Sequence, residues 1–118
     1  MNKRRSGNEH EERSVDYLEK NGVRIIDVNF SCKIGEIDII GKDGDYLVFF
    51  EVKYRSSSVY GSPSEAVNYR KQKKICRVSD YFRLIKGIPE DTPIRYDVIA
   101  ITGEEIDWIK NAFEYIGR

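Results

Sequence analysis

Acidic residues and a lysine stand at spacings that would gather them on one face of a β-sheet. Glu36 and Asp38 are separated by one residue, and Glu51 and Lys53 repeat that spacing further along the chain. Alternate side chains of a strand point to the same face, so each pair shares a face where the chain is extended. Carboxylates suit Mg²⁺ and Mn²⁺, and an ammonium group can stabilise charge that develops on a phosphate. These residue types indicate a divalent-cation site for phosphodiester chemistry.

A hairpin would bring the two pairs together. The sequence Asp43-Gly44 is a strong signal for a two-residue turn, and such a turn pairs Asp38 with Phe49 and Glu36 with Glu51. All the carboxylates and the lysine then share one face, and a bound cation would offset the repulsion between opposed like charges. The other face would carry Ile37, Ile39, Phe50 and Val52. The alternative is a solvated strand face with an ordinary Glu–Lys pair.

The elements that must position these residues follow from periodicity and from turn signals. We predict helices over 8–21 and from Ser62-Pro63 to Lys86, and strands over 23–30, 35–40, 46–54, 94–101 and 106–109. The order predicts a single α/β domain over residues 1–118, with a mixed sheet flanked by helices.

Both predicted helices carry charged residues within their apolar stripes. Glu11 precedes Val15 and Leu18 at helical spacing, so it faces inward and needs a partner or a metal. The alternative is that Glu11 simply complements the positive N-terminus of its helix. In the long helix Lys71 falls in the apolar stripe, which aims it at the domain.

The outer face of the long helix is basic. Arg70, Lys73 and Arg77 cluster there, with Lys74 on the flank. Such a face is commonly just solvated, but beside a metal site it would contact phosphates. The chain as a whole has 20 basic and 20 acidic residues, which argues against binding to nucleic acid by bulk charge.

Other residue counts exclude several classes of site. His10 is the single histidine, and Cys32 and Cys76 form no Cys-x-x-Cys motif, which argues against structural zinc and against a His-based triad. No apolar stretch approaches a membrane span and none follows the basic start, so we expect a cytoplasmic protein that does not bind membranes.

The Asp38…Glu51-Val52-Lys53 arrangement resembles the motif of PD-(D/E)xK nucleases, with Ile37 in place of the nominal proline. The chain is more closely similar to the YraN-like family of uncharacterised, suspected endonucleases. The segments that carry this resemblance are Gly7 with Glu11, Asn29, Gly35-Glu36-Ile37-Asp38, Phe50-Glu51-Val52-Lys53-Tyr54-Arg55, Lys71-Gln72, Arg95-Tyr96-Asp97-Val98 and Ile109-Lys110-Asn111-Ala112-Phe113. The resemblance implies a restriction-endonuclease-like fold.

The resemblance also implies roles for single residues. Asp38, Glu51 and the backbone carbonyl of Val52 would hold Mg²⁺ or Mn²⁺, and Lys53 would position or activate the attacking water. Glu11 matches an N-terminal helical acid of archaeal-type Holliday junction resolvases. The match implies that Glu11 is a further catalytic residue and metal ligand. The residues expected to contact nucleic acid are Arg55, Arg70, Lys71, Gln72, Lys73 and Arg77.

Three functions compete for this set of residues. The leading hypothesis is a nuclease that acts on DNA, branched DNA included, with Glu36 as an additional ligand or a DNA-facing acid. A nucleic-acid-binding or scaffold module without turnover is the second, and a glycosidase with paired carboxylates, which leaves Lys53 unexplained, is the third. Tyr60 could stack on an exposed base, whereas packing against the sheet is the favoured reading of Trp108. A homodimer is left open.

Overall fold

One mixed sheet of five strands, with a helix on each face, positions the residues of interest. The computed structural model describes residues 9–55 and 67–117. The elements are α1 (Glu9–Lys20), β1 (Arg24–Ser31), β2 (Glu36–Asp43), β3 (Tyr46–Arg55), α2 (Tyr69–Ile85), β4 (Ile94–Thr102) and β5 (Glu105–Phe113). Strand order follows chain order, and the only parallel pair in the described sheet is β3 with β4. The predicted α/β class is confirmed, and the architecture is consistent with a restriction-endonuclease-like domain.

Each face of the sheet has its own apolar core. The buried residues on the α1 side are Leu18, Val23, Ile39, Val48, Phe50, Ile99 and Ile101. Those on the α2 side are Ile37, Ile40, Leu47, Phe49, Val67, Ile75, Cys76, Val78, Phe82, Tyr96, Val98 and Phe113. Because β3 and β4 are covered on both faces, their sequences are almost continuously apolar rather than alternating. No helix among residues 9–55 and 67–117 is long and apolar enough to cross a membrane.

The β2–β3 hairpin has a different register from the predicted one. Its turn residues are Gly44 and Asp45, because Asp43 pairs with Tyr46 and Gly44 adopts a φ of 63°. A positive φ at the first turn position is the one that glycine favours in type II′ turns. The predicted pairs of Asp38 with Phe49 and of Glu36 with Glu51 are therefore wrong. The shift is by an even number of residues, so it changes partners without exchanging the faces of β3.

The two strands of the hairpin separate at Asp38. Their ladder ends at the pair Ile39–Phe50, and beyond it the N–H of Val52 donates to Oδ2 of Asp38 at 2.8 Å. Ile37 packs on the α2 side whereas Ile39 packs on the α1 side, so strict alternation is broken between them. The expected shared face for Ile37 and Ile39 is thus wrong. The N–H of Val52 thus donates to the side chain of Asp38 instead of to a backbone carbonyl of β2. As a result β2 and β3 are no longer paired beside Asp38.

The long helix begins later than predicted. Asn68 is its N-cap, with extended backbone and a side chain that accepts from the N–H of Lys71 at 2.9 Å. The start at Ser62-Pro63 is therefore wrong for α2, and residues 62–65 themselves lie outside the described residues. The predicted end is confirmed, since α2 stops at Ile85 with Lys86 as its C-cap. A later start places Lys71 in the first turn.

A buried ionic network ties β4 to β5 and to the hairpin turn. Asp97 is fully buried and accepts from Nε1 of Trp108 at 2.8 Å and from the N–H of Asn111 at 2.9 Å. Arg95 donates to Asp97 from Nε at 3.0 Å and from Nη2 at 2.8 Å, and it reaches Asp43 at 2.8 Å. These carboxylates raise the pKa of Arg95 further above its usual range. The favoured packing role of Trp108 is in keeping with these contacts.

Candidate metal and phosphate site

Asp38 interacts with two other carboxyl groups, those of Glu11 and Glu51, where β2 leaves β3. Glu11 lies in the first turn of α1, Asp38 in β2 and Glu51 in β3. Glu11 and Glu51 are each only 6% exposed, although glutamates are rarely buried without a partner. The inward orientation predicted for Glu11 from its helical stripe is therefore confirmed. The gathering depends on the strand separation at Asp38 rather than on one flat sheet face.

Burial and mutual repulsion shift the protonation of all three acids. Loss of solvent raises the pKa of Glu11 to about 7, and the charge of Asp38 adds to this effect. Burial likewise raises the pKa of Glu51 to about 7, again with a contribution from Asp38. The pKa of Asp38 is raised by burial and by the charge of Glu36, against the lowering effect of the Val52 N–H. The protein's own cations do not fully balance this acid cluster.

Two lysines approach the cluster from different elements. Nζ of Lys71 lies 3.3 Å from Oε2 of Glu51, so Lys71 contacts the domain as predicted, although 46% of its side chain stays exposed to water. Its charge, and to a smaller degree that of Lys53, lowers the pKa of Glu51 against the effect of burial. Lys53 is half-buried near the end of β3. The site therefore has an acidic centre with ammonium groups at its margin.

Asn29 is a contact of the acid cluster to which the resemblance gave no role. Its side chain hydrogen-bonds to Glu11, which lowers the pKa of that acid. Asn29 has a φ of 58°, in the left-handed region that asparagine tolerates better than most residues. A lone asparagine within a predicted strand is the only sequence signal for this conformation.

His10 and Tyr54 are a second contact that sequence reasoning missed. Their rings stack with centroids 4.1 Å apart and an angle of 11° between planes. Each is the chain neighbour of a predicted site residue, His10 of Glu11 and Tyr54 of Lys53. The stack therefore joins the first turn of α1 to the end of β3.

The residues predicted to contact nucleic acid fall into two groups. Arg55 is half-buried at the end of β3, and Nε2 of Gln72 donates to the carbonyl of Val67 at 2.8 Å. Arg70, Lys73 and Arg77 are exposed on α2. They line a shallow hollow, which we call the α2 depression, formed by Ile34, Tyr69, Arg70, Lys73, Lys74 and Arg77. Tyr60 lies outside the described residues.

The donor set fits a hard divalent cation held by few protein ligands. Within residues 9–55 and 67–117, no three Asp, Glu, His or Cys side chains are disposed to enclose a metal by themselves. Mg²⁺ is commonly bound by one or two carboxylates, with water and substrate phosphate completing the shell. Asp38 and Glu51 supply such a pair, and burial raises the pKa of both acids. Glu36 is exposed and acts on the other acids through its charge.

Comparison with known proteins identifies relatives over nearly the whole chain. The profile of the "Uncharacterised protein family UPF0102" matches residues 10–101. A UPF0102 protein of Lachnoclostridium phytofermentans is 43% identical over 117 residues, covering 99% of both chains. One from Thermodesulfovibrio yellowstonii is 44% identical over 107 residues, covering 91% of this chain and 94% of its own, and one from Legionella pneumophila strain Paris is 39% identical over 106, covering 88% and 90%. The chain belongs to the UPF0102 family, the YraN-like group that its motifs resemble.

Proposed function

We propose that this protein is a divalent-cation-dependent nuclease that hydrolyses phosphodiester bonds in DNA. The observation that carries the proposal is that two buried acids, Glu11 and Glu51, both interact with Asp38, and that the charge of Lys53 reaches Glu51. Burying two acids next to a third, half-buried one is unfavourable unless a cation compensates them. A protein that only binds nucleic acid gains nothing from such a cluster, since phosphates would be repelled by it.

The protein's own groups have separable tasks in this proposal. Asp38, Glu51 and the Val52 carbonyl would hold Mg²⁺ or Mn²⁺, with Glu11 as a further ligand. When bound, the cation would neutralise phosphate charge and lower the pKa of a water molecule. The N–H of Val52 fixes the Asp38 carboxylate at 2.8 Å, and Lys71 fixes Glu51 at 3.3 Å. Both carboxylates are thus oriented by the chain before any ligand arrives.

Lys53 would act on the substrate rather than on the fold. It is half-buried, and its charge reaches Glu51. An ammonium group at this place can position the attacking water and stabilise the charge that develops on the scissile phosphate. The cations Arg70, Lys73 and Arg77 on α2 would hold neighbouring phosphates without reading bases.

The test is a cleavage assay on duplex, single-stranded, flap and four-way DNA, with Mg²⁺, with Mn²⁺ and with a chelator. Lys53→Ala should lose cleavage by a few hundredfold or more, about 3–4 kcal/mol of transition-state stabilisation, while folding and DNA binding stay intact. Arginine should not rescue, because its planar group places charge differently and does not release a proton near neutral pH. Lys42→Ala, in the same hairpin, is the matched control and should cut like wild type. Equal cleavage by Lys53→Ala and wild type would contradict the assignment.

A module that binds DNA without turnover is the second candidate. It is favoured by one observation, that no three acidic side chains in the described residues enclose a metal site. This candidate expects no metal-dependent cleavage on any of the four substrates, and a Lys53→Ala variant altered in affinity alone. Affinity and cleavage measured on the same DNA therefore separate the two functions.

A further inference from the structure

The α2 depression differs in chemistry from an ordinary solvated helix face. Four of its six lining residues are cations, and the other two are Tyr69 and Ile34. Its volume is about 490 Å³. Within the described part of the chain, no acidic side chain contributes to the lining, and the first turn of α2 contains none. A surface of this composition suits a polyanion that also has an apolar part.

Charge in this protein is separated in space although the total is zero. From Tyr69 to Ser79, α2 carries Arg70, Lys71, Lys73, Lys74 and Arg77 and no acid. Among the described residues, only Lys71 of these five is in a salt bridge, to Glu51. The stem of Lys74 packs against the backbone of Gly35, since a Cβ at Gly35 would lie 3.0 Å from its Cδ. The remaining positive charge therefore faces the depression and solvent.

Tyr69 gives the depression an exposed aromatic ring. It is the first residue of α2 and is 63% exposed, although burying a tyrosine ring is energetically favourable. Nζ of Lys73, one turn later, lies 5.8 Å from the centre of this ring. An aromatic ring flanked by cations is the arrangement with which proteins bind single-stranded nucleic acid, through stacked bases and paired phosphates. In a duplex the bases are already stacked and their faces are not available.

We propose that the α2 depression binds an unpaired segment of DNA, with one base stacked on Tyr69 and the flanking phosphates on Arg70, Lys73 and Arg77. The segment would lead directly to the acid cluster, because Lys71 lies in the same turn of α2 and contacts Glu51. This inference rests on the proposed nuclease function and names its substrate class. That class is DNA with a single-stranded arm, such as a flap, a tail or an open junction.

The experiment measures binding by fluorescence anisotropy in the presence of EDTA, so that cleavage plays no part. The probes are a labelled oligo(dT) and a labelled blunt duplex of the same length. Tyr69→Ala should weaken binding of oligo(dT) about tenfold and change binding of the duplex by less than about twofold. Tyr69→Phe keeps the ring and should bind both probes like wild type. Tyr81→Ala is the matched control, since Tyr81 is on the same helix, is 40% exposed and lies outside the depression.

Several results would overturn the inference. The first is that wild type does not bind oligo(dT), and the second is that Tyr69→Ala binds oligo(dT) as tightly as wild type does. The third is that Tyr69→Ala loses the same affinity for the duplex as for oligo(dT). The fourth is that Tyr69→Phe binds oligo(dT) as weakly as Tyr69→Ala does. The proposed nuclease function is tested by a different assay, and the absence of metal-dependent cleavage on all four DNA substrates would refute it. A protein that binds oligo(dT) through Tyr69 but cuts nothing would leave the depression assigned and refute the nuclease.

Discussion

Among residues 9–55 and 67–117, buried carboxylates lie at two places, and their charge is compensated differently at each. Asp97 is fully buried, yet Arg95, Trp108 and Asn111 donate to it. Glu11 and Glu51 are nearly as buried, and this burial, together with the charge of Asp38, raises their pKa values to about 7. The first cluster is neutralised within the chain and holds the sheet together. The second is held in deficit of positive charge, which is the condition under which a site takes up a ligand cation.

The largest expected difference between the two clusters is in how mutation changes the stability of the protein. Asp97→Ala should cost about 3–5 kcal/mol of unfolding free energy, because it removes the main partner of the Arg95 guanidinium, whose side chain is only 12% exposed. Asp38→Asn should cost far less in a metal-free protein, since it removes a charge that repels its neighbours. Urea unfolding in EDTA measures both. An Asp38→Asn variant as unstable as Asp97→Ala would show that both clusters are structural.

The acid cluster of Glu11, Asp38 and Glu51 should also make folding stability depend on pH. In the folded protein Glu11 and Glu51 have pKa values of about 7, above the ordinary value of 4.5. Between pH 4.5 and pH 7 the folded state therefore binds more protons than the unfolded state does. The free energy of unfolding should therefore fall by about 1–3 kcal/mol as pH rises from about 4.5 to about 7, and it should change little above that pH. Glu51→Gln should flatten the curve and be the more stable protein at pH 8. A stability that rises over this interval would contradict the assignment of raised pKa values.

The smallest expected effect concerns the basic face of α2. Removing one cation that binds a phosphate of single-stranded DNA should reduce the salt slope of oligo(dT) binding by about 0.7. Alanine at Arg70, Lys73 and Arg77 together should therefore lower the slope by up to about 2 without altering the unfolding free energy appreciably. The matched control replaces Lys20, Lys86 and Lys110, which are exposed cations outside the α2 depression. An unchanged slope in the first variant would show that the cations of this face do not contact phosphates and are simply solvated.

Much of the fold could be predicted because local signals agreed with it. The hairpin, both helices and the buried strand β4 follow from turn residues, apolar periodicity and a continuous apolar run. The start of α2 could not be predicted, since Ser62-Pro63 offers a strong N-cap pattern and the cap that the structure uses, Asn68, offers a weaker one. The register also failed, because Asp43-Gly44 and Gly44-Asp45 are both acceptable turn pairs.

The site was predicted in its residues but not in its construction. Two errors, the register and the assumed flat face, left the gathering of Asp38 and Glu51 intact because a shift by two residues preserves the face. The separation of β2 from β3 depends on a side-chain to backbone hydrogen bond between Asp38 and Val52, which spacing does not encode. The roles of Asn29 and of the His10–Tyr54 stack depend on tertiary contacts and could not be predicted either.

Calorimetric titration of the metal-free protein with Mn²⁺ at pH 7.5 measures directly whether the acid cluster binds a divalent cation. Wild type should bind one ion, with proton release because the cluster is partly protonated near its pKa of about 7. Asp38→Asn should weaken that binding at least about tenfold, as loss of a carboxylate ligand does, whereas Asp16→Asn, at an exposed acid of α1, should not. Equal binding by wild type and Asp38→Asn would contradict the claim that the buried acid cluster is a divalent-cation site.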